Sequence, residues 1–225
     1  MRNTALFILA VVTLAACKKE ITSNIDQDKI FTHFKLAYDA NTDQTMATAT
    51  FRFSNLDGTR LKLSDPSTVT IDGESIDWND EQGYYEKTYT GLKPTGVFDW
   101  TDLDGKAFSD TVEIRDIDFP DPIPTFSHDS AVAYFTWAGA TPLEMNEQVK
   151  LEIDGVGETD TRVFSTDTLG DTNIMIDSLK LSQVDSGLVN LFLEKRYAVE
   201  PFDGTSAGGL LVGTYRPVDK TTEVN

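Results

Sequence analysis

Cysteine is nearly absent from this chain: a single one, Cys17, among 225 residues. One cysteine excludes an internal disulfide and any metal site built mainly from thiolates. Histidine is almost as scarce, with only His33 and His128, which leaves little material for a zinc site or a histidine-dependent triad. Basic residues are few: 19 Lys and Arg stand against 37 Asp and Glu, a formal charge of −18. Such a surface repels phosphate backbones, so nucleic acid is excluded as a partner. Beyond the first sixteen residues there is no long apolar run, and no stretch keeps a helical period for three turns. No Walker loop, dinucleotide fingerprint, H-E-x-x-H or G-x-S-x-G occurs, so no catalytic residues are singled out.

What the chain does have begins at residue 1. Met1-Arg2-Asn3 is a short basic start, and the apolar run Ala5–Leu14 is too short to span a bilayer as a helix. It closes on Leu14-Ala15-Ala16-Cys17, which resembles the lipobox of bacterial lipoproteins. That resemblance implies cleavage after residue 16 and a covalent lipid on Cys17, so that the membrane is reached through the anchor. Several acyl chains, at about 0.8 kcal/mol per buried CH₂, hold far more firmly than one. Lys18-Lys19-Glu20 resembles the surface-export signals of Bacteroidota lipoproteins, although Ile21 stands where a second acid is common. Position 18 is not Asp, the inner-membrane retention signal of enteric lipoproteins. The address implied is the outer membrane, facing outward.

The rest reads as short strands and turns. Phe34, Leu36 and Tyr38 alternate with polar neighbours, as do Ala49, Phe51 and Phe53, and the pattern continues through Leu61–Leu63, Val69–Ile71 and Ile76–Trp78. Asp-Gly pairs recur at residues 57, 72, 104, 154 and 203, and Asp72-Gly73 is the expected closure of a hairpin spanning Val69–Ile76. Pro120, Pro122 and Pro124 cannot serve a central strand and predict a hinge. The expected organisation is all-β: a signal peptide at 1–16, a tether at 17–28, β-sandwiches at 29–119 and 125–217 about the 120–124 hinge, and a polar tail at 218–225. In the second half Ala131–Trp137, Val149–Ile153 and Leu188–Arg196 read as strands, and Ser178 as the N-cap of a single helical turn. Leu92-Lys93-Pro94-Thr95-Gly96-Val97-Phe98 resembles the crossover corner of fibronectin-type and immunoglobulin-like sandwiches. Phe98 holds the aromatic position there without the hydroxyl of a tyrosine corner.

Candidate chemistry is sparse. His33 shares its strand phase with Lys35 and is expected to face solvent. Ser127-His128-Asp129 are consecutive in an extended chain and so point to opposite faces, which rules out a relay. Asp102 and Asp104, before Gly105, and Asp116 and Asp118, near the prolines, are weak calcium candidates; the EF-hand spacing fails because Trp100 and Thr111 hold ligand positions. No other cofactor is expected. Trp78-Asn79-Asp80 is the best local fit to a sugar-stacking site, with polar partners beside the ring, whereas Trp137 shares its phase with Ala133 and Phe135 and reads as core. The expected role is a non-enzymatic surface lipoprotein, an adhesion, scaffold or accessory module with a glycan or surface protein as partner. The alternatives are a glycan-binding member of a polysaccharide-uptake system and a fimbrial or gliding-apparatus component.

Overall fold

In a computed structural model the described residues are 20–129, 132–155 and 161–225. The predicted all-β class is observed: the described residues form two β-sandwiches with one short α-helix and three single 3-10 turns. The signal segment, Cys17 and Ala131 lie outside the described residues.

In the N-terminal half the strands are β1 (Glu20–Ile21), β2 (Ile30–Asp39), β3 (Gln44–Phe53), β4 (Arg60–Lys62), β5 (Thr68–Ile71), β6 (Glu74–Ser75), β7 (Asp77–Asn79), β8 (Tyr84–Thr90), β9 (Thr95–Thr101) and β10 (Ala107–Glu113). β2 pairs with β3 along its whole length, and β3 then pairs with β8 over one stretch and β4 over another. The facing layer is β10-β9-β5-β6. Period-two alternation buries one side of each strand, and Phe34, Phe51, Phe98, Trp100 and Phe108 meet between the layers. Phe34 stacks on Phe98 at 4.8 Å and Trp100 on Phe108 at 4.5 Å. The β5–β6 hairpin forms as expected, with Asp72 and Gly73 at φ 49° and 77°, the positive values that a type I′ closure requires. The chain crosses between layers from β8 to β9, where Phe98 is fully buried but Leu92 faces outward rather than pinning the corner. Phe53, in phase with Phe51, is also exposed, because β3 ends there.

The C-terminal half contributes β11 (Val132–Thr136), β12 (Glu147–Asp154), β13 (Arg162–Thr166), β14 (Asn173–Asp177), α1 (Ser178–Leu181), β15 (Gly187–Val199), β16 (Gly209–Arg216) and β17 (Lys220–Val224). Its core lies between β13-β12-β15 and the two-stranded layer β11-β14, and contains Phe135, Trp137, Leu151, Phe164, Ile174 and Leu193. The helix cap is Asp177, whose carboxylate accepts from the Lys180 amide, one residue before the expected Ser178.

Four boundaries differ from the sequence reading. First, the two halves share one continuous sheet, because β16 pairs in parallel with β2 from Gly209↔Thr32 to Arg216↔Asp39. Leu211 of β16 therefore belongs to the first core, while Tyr215 packs against both. Gly213 is required here: a Cβ would lie 1.7 Å from the Glu113 carbonyl oxygen, where β10 closes on β16. Second, the crossover between cores falls at Arg115–Asp116, between Ile114 of one core and Ile117 of the other, and the proline segment is no hinge. Phe119 and Phe126 flank the prolines and are buried in the second core. Third, residues 20–28 of the expected tether pack onto the first sandwich: Thr22 is buried, β1 pairs with β4, and the Gln27 side-chain Nε2 donates to the Thr22 carbonyl. Fourth, the polar tail is strand β17, which pairs with β15 and buries Val224, since its alternation Thr222/Val224 faces the core.

Candidate binding surfaces

Trp78 lies on β7, a three-residue edge strand held by β8. Its indole is half-buried: the edge meets Tyr85 at 5.0 Å, the Lys62 ammonium lies 5.4 Å from the ring centroid, and Nε1 donates to Asp80 at 2.7 Å. The Asn79 side chain donates to Glu86 and accepts from the Glu81 and Gln82 amides. All three residues are brought together, but their polar atoms build the β7–β8 turn.

Asp102 is buried, and its carboxylate accepts from the Asp104 and Lys106 amides, which forms the turn between β9 and β10. Asp116 and Asp118 lie at the crossover between cores, beyond the opposite end of β10 from that turn. Among the described residues no three His, Cys, Asp or Glu side chains gather in a way that could hold a metal ion.

His33 is half-buried rather than solvent-facing, because β2 is flanked by β3 and β16 and their side chains crowd the ring. Burial first, and then Arg52, Lys35 and Arg196, lowers its pKa to about 4. It is neutral at neutral pH and has cations for neighbours, not the carboxylate that a general base would need.

A highly connected polar cluster lies among residues that no local sequence pattern links. Arg115, at the crossover, reaches Glu144 at 2.6 Å, Glu147 at 3.1 Å and Glu113 at 3.3 Å, and its guanidinium lies 3.9 Å from the Tyr197 ring centroid. Lys195 of β15 reaches the same Glu147 at 3.0 Å. Burial works to raise the Glu147 carboxyl, but the Glu144 amide, Lys195 and Arg115 outweigh it and hold it below the usual value. Two adjoining clefts of about 370 and 410 Å³ border this cluster and share Asp116, Thr141 and Lys195. The cations lining them are turned inward onto Glu147, so the cluster clamps β10, the crossover and β12 together. Its partners lie up to 82 residues apart (Glu113 to Lys195), a separation that no local pattern reports.

No family model matches this chain, and no curated protein matches it. Among solved structures it is similar to the FN1–FN3 domains of chicken CNTN1, at a TM-score of 0.27 and 10% identity. The match covers 86% of this chain and 66% of that one, slightly under two thirds of its length.

Apolar exposure marks a second surface. On the two-stranded layer of the C-terminal sandwich, Tyr134 and Met175 are direct cross-strand neighbours, 60% and 57% exposed, with Val132 and Leu179 exposed beside them. Their phase is opposite to that of Phe135, Ile174 and Ile176 in the core. Sequence alternation marks one side of each strand as core. The other side here carries Val132, Tyr134 and Met175, which alternation alone assigns to solvent.

Proposed function

We propose that this chain is a non-enzymatic lipoprotein of the outer membrane, anchored through Cys17 and displayed outward as an adhesion, scaffold or accessory binding module. The observation that carries the reading is the opposition of two ends along the shared sheet. β15 runs thirteen residues from Val199, packed against the first core, to Gly187, paired with Val224 of the second. The chain enters at Glu20 on the first sandwich, so the second is held away from the entry on a continuous ladder. The Tyr134–Met175 face then becomes the presented contact surface, with apolar area of the kind that marks partner sites. A surface protein or a glycan is the partner class, although the engagement of Trp78 and Asn79 in their own turn favours the protein. A fimbrial or gliding-apparatus component assembled by strand addition is a second reading. It is favoured by β11, which pairs only with β14 among the described residues.

Cells fed an alkyne fatty acid should label the protein but not its Cys17→Ala variant, and protease added to intact cells should remove it. Absence of label, or protection until lysis, would overturn the reading.

A further inference from the structure

The end of the first sandwich where the chain enters carries apolar side chains that the fold holds outward. Phe202 is fully exposed, yet its loop is not loose. The amides of Phe202 and Asp203 donate to the carboxylate of Asp110, itself buried on β10, at 2.8 and 3.3 Å. Thr205 donates to the Ile30 carbonyl at 2.7 Å, and the Ser206 hydroxyl to the Asp28 carbonyl at 2.9 Å. The loop between β3 and β4 is tied to the same place: Ile30 pairs with Phe53, and the Ser54 amide donates to the Lys29 carbonyl at 2.7 Å. Phe53, which ends β3, and Leu56 on that loop are exposed as well. Two separate loops, both fastened to residues 28–30, thus present Phe53, Leu56 and Phe202 from one end.

Apolar side chains that fixed loops hold outward together at one end form an exposed patch of the kind that marks a contact surface. The path of the chain points to what covers them. β1 runs parallel to β4, with Glu20 opposite Leu61, and β4 starts at Arg60 beside the same β3–β4 loop. Glu20 therefore lies at this end, with β1 leading away from it. Position 17 is only three residues earlier, a reach of at most about 11 Å. Acids (Asp26, Asp28, Asp57, Asp203) and bases (Lys29, Arg60, Lys106) share this end, a mixture without a net cationic face.

We propose that Phe53, Leu56 and Phe202 form a second membrane contact, entering the boundary between headgroups and acyl chains and setting the first sandwich upright on the bilayer. The proposal rests on the anchor reading for its setting, and on apolar insertion rather than charge for its attachment.

Because Cys17 is the sole cysteine, the mature chain can be coupled through it to a maleimide lipid in phosphatidylcholine vesicles, whether or not cells acylate it. Tryptophan is then placed in turn by Phe202→Trp, Phe53→Trp and, as control, Tyr134→Trp, all at exposed positions. The added emission of the first two should shift to the blue and be lost when acyl chains brominated near the headgroup are used, while that of the control should persist. Unquenched emission from both Phe202→Trp and Phe53→Trp would overturn the contact, and so would equal quenching of the control. Mass analysis of the native protein separately decides whether the anchor reading stands.

Discussion

His33 shows how far a residue's surroundings can depart from its phase along a strand. It occupies the outward phase of β2, yet burial and three nearby cations lower its pKa to about 4. In the unfolded chain the imidazole returns to about 6.5. The folded state therefore resists protonation, and the stability His33 contributes is complete above pH 6.5 and is lost as pH falls toward 4. Denaturant unfolding at pH 7 and pH 4.5 should show this loss, and His33→Asn should reduce the difference between the two pH values by on the order of 2 kcal/mol. An identical pH difference in the variant would mean that the ring is as wet as the alternation alone implies.

At the scale of elements, β17 is the clearest departure from what local composition suggests. Lys220-Thr221-Thr222-Glu223-Val224 is polar enough to read as a tail, but alternate residues face the core. Val224 is buried, the Thr222 hydroxyl donates to the Pro124 carbonyl at 2.7 Å, and Phe126 exchanges backbone bonds with Glu223 and Asn225. Deleting residues 218–225 should destabilise the second sandwich by about 3 kcal/mol or more, from the Val side chain alone plus the opened edge of β15. Thermal unfolding followed by circular dichroism would detect it, and an unchanged midpoint would restore the tail. The Asp72-Gly73 hairpin is the opposite case: its turn chemistry is local, so the eight residues Val69–Ile76 are enough to specify it.

For the molecule as a whole, the parallel β2–β16 pairing makes the two sandwiches one thermodynamic body. Without β16, the first sandwich loses Leu211 from its core and leaves the eight-residue edge Thr32–Asp39 of β2 unpaired. A fragment of residues 18–119, bounded where the proline cluster suggests a domain should end, is expected to aggregate or remain unfolded. A chain of residues 18–225 should give a single calorimetric transition whose van't Hoff and calorimetric enthalpies agree. A soluble fragment with dispersed amide resonances would show that the halves are independent after all.

The sequence by itself determined the all-β class, the position of most strands, the tight turns and the core side of each strand. These follow from the alternation of side chains and from the backbone preferences of Asp and Gly, both settled within a few residues. It also singled out Cys17 and the Trp78 turn as local features. Tertiary structure alone decided that β16 returns to β2 across some 180 residues, that Arg115 and Lys195 converge on Glu147, and that Phe53, Leu56 and Phe202 share one end. The reason is physical: a strand's pattern records which side meets the core, but its backbone bonds equally well to any strand that long-range packing brings alongside.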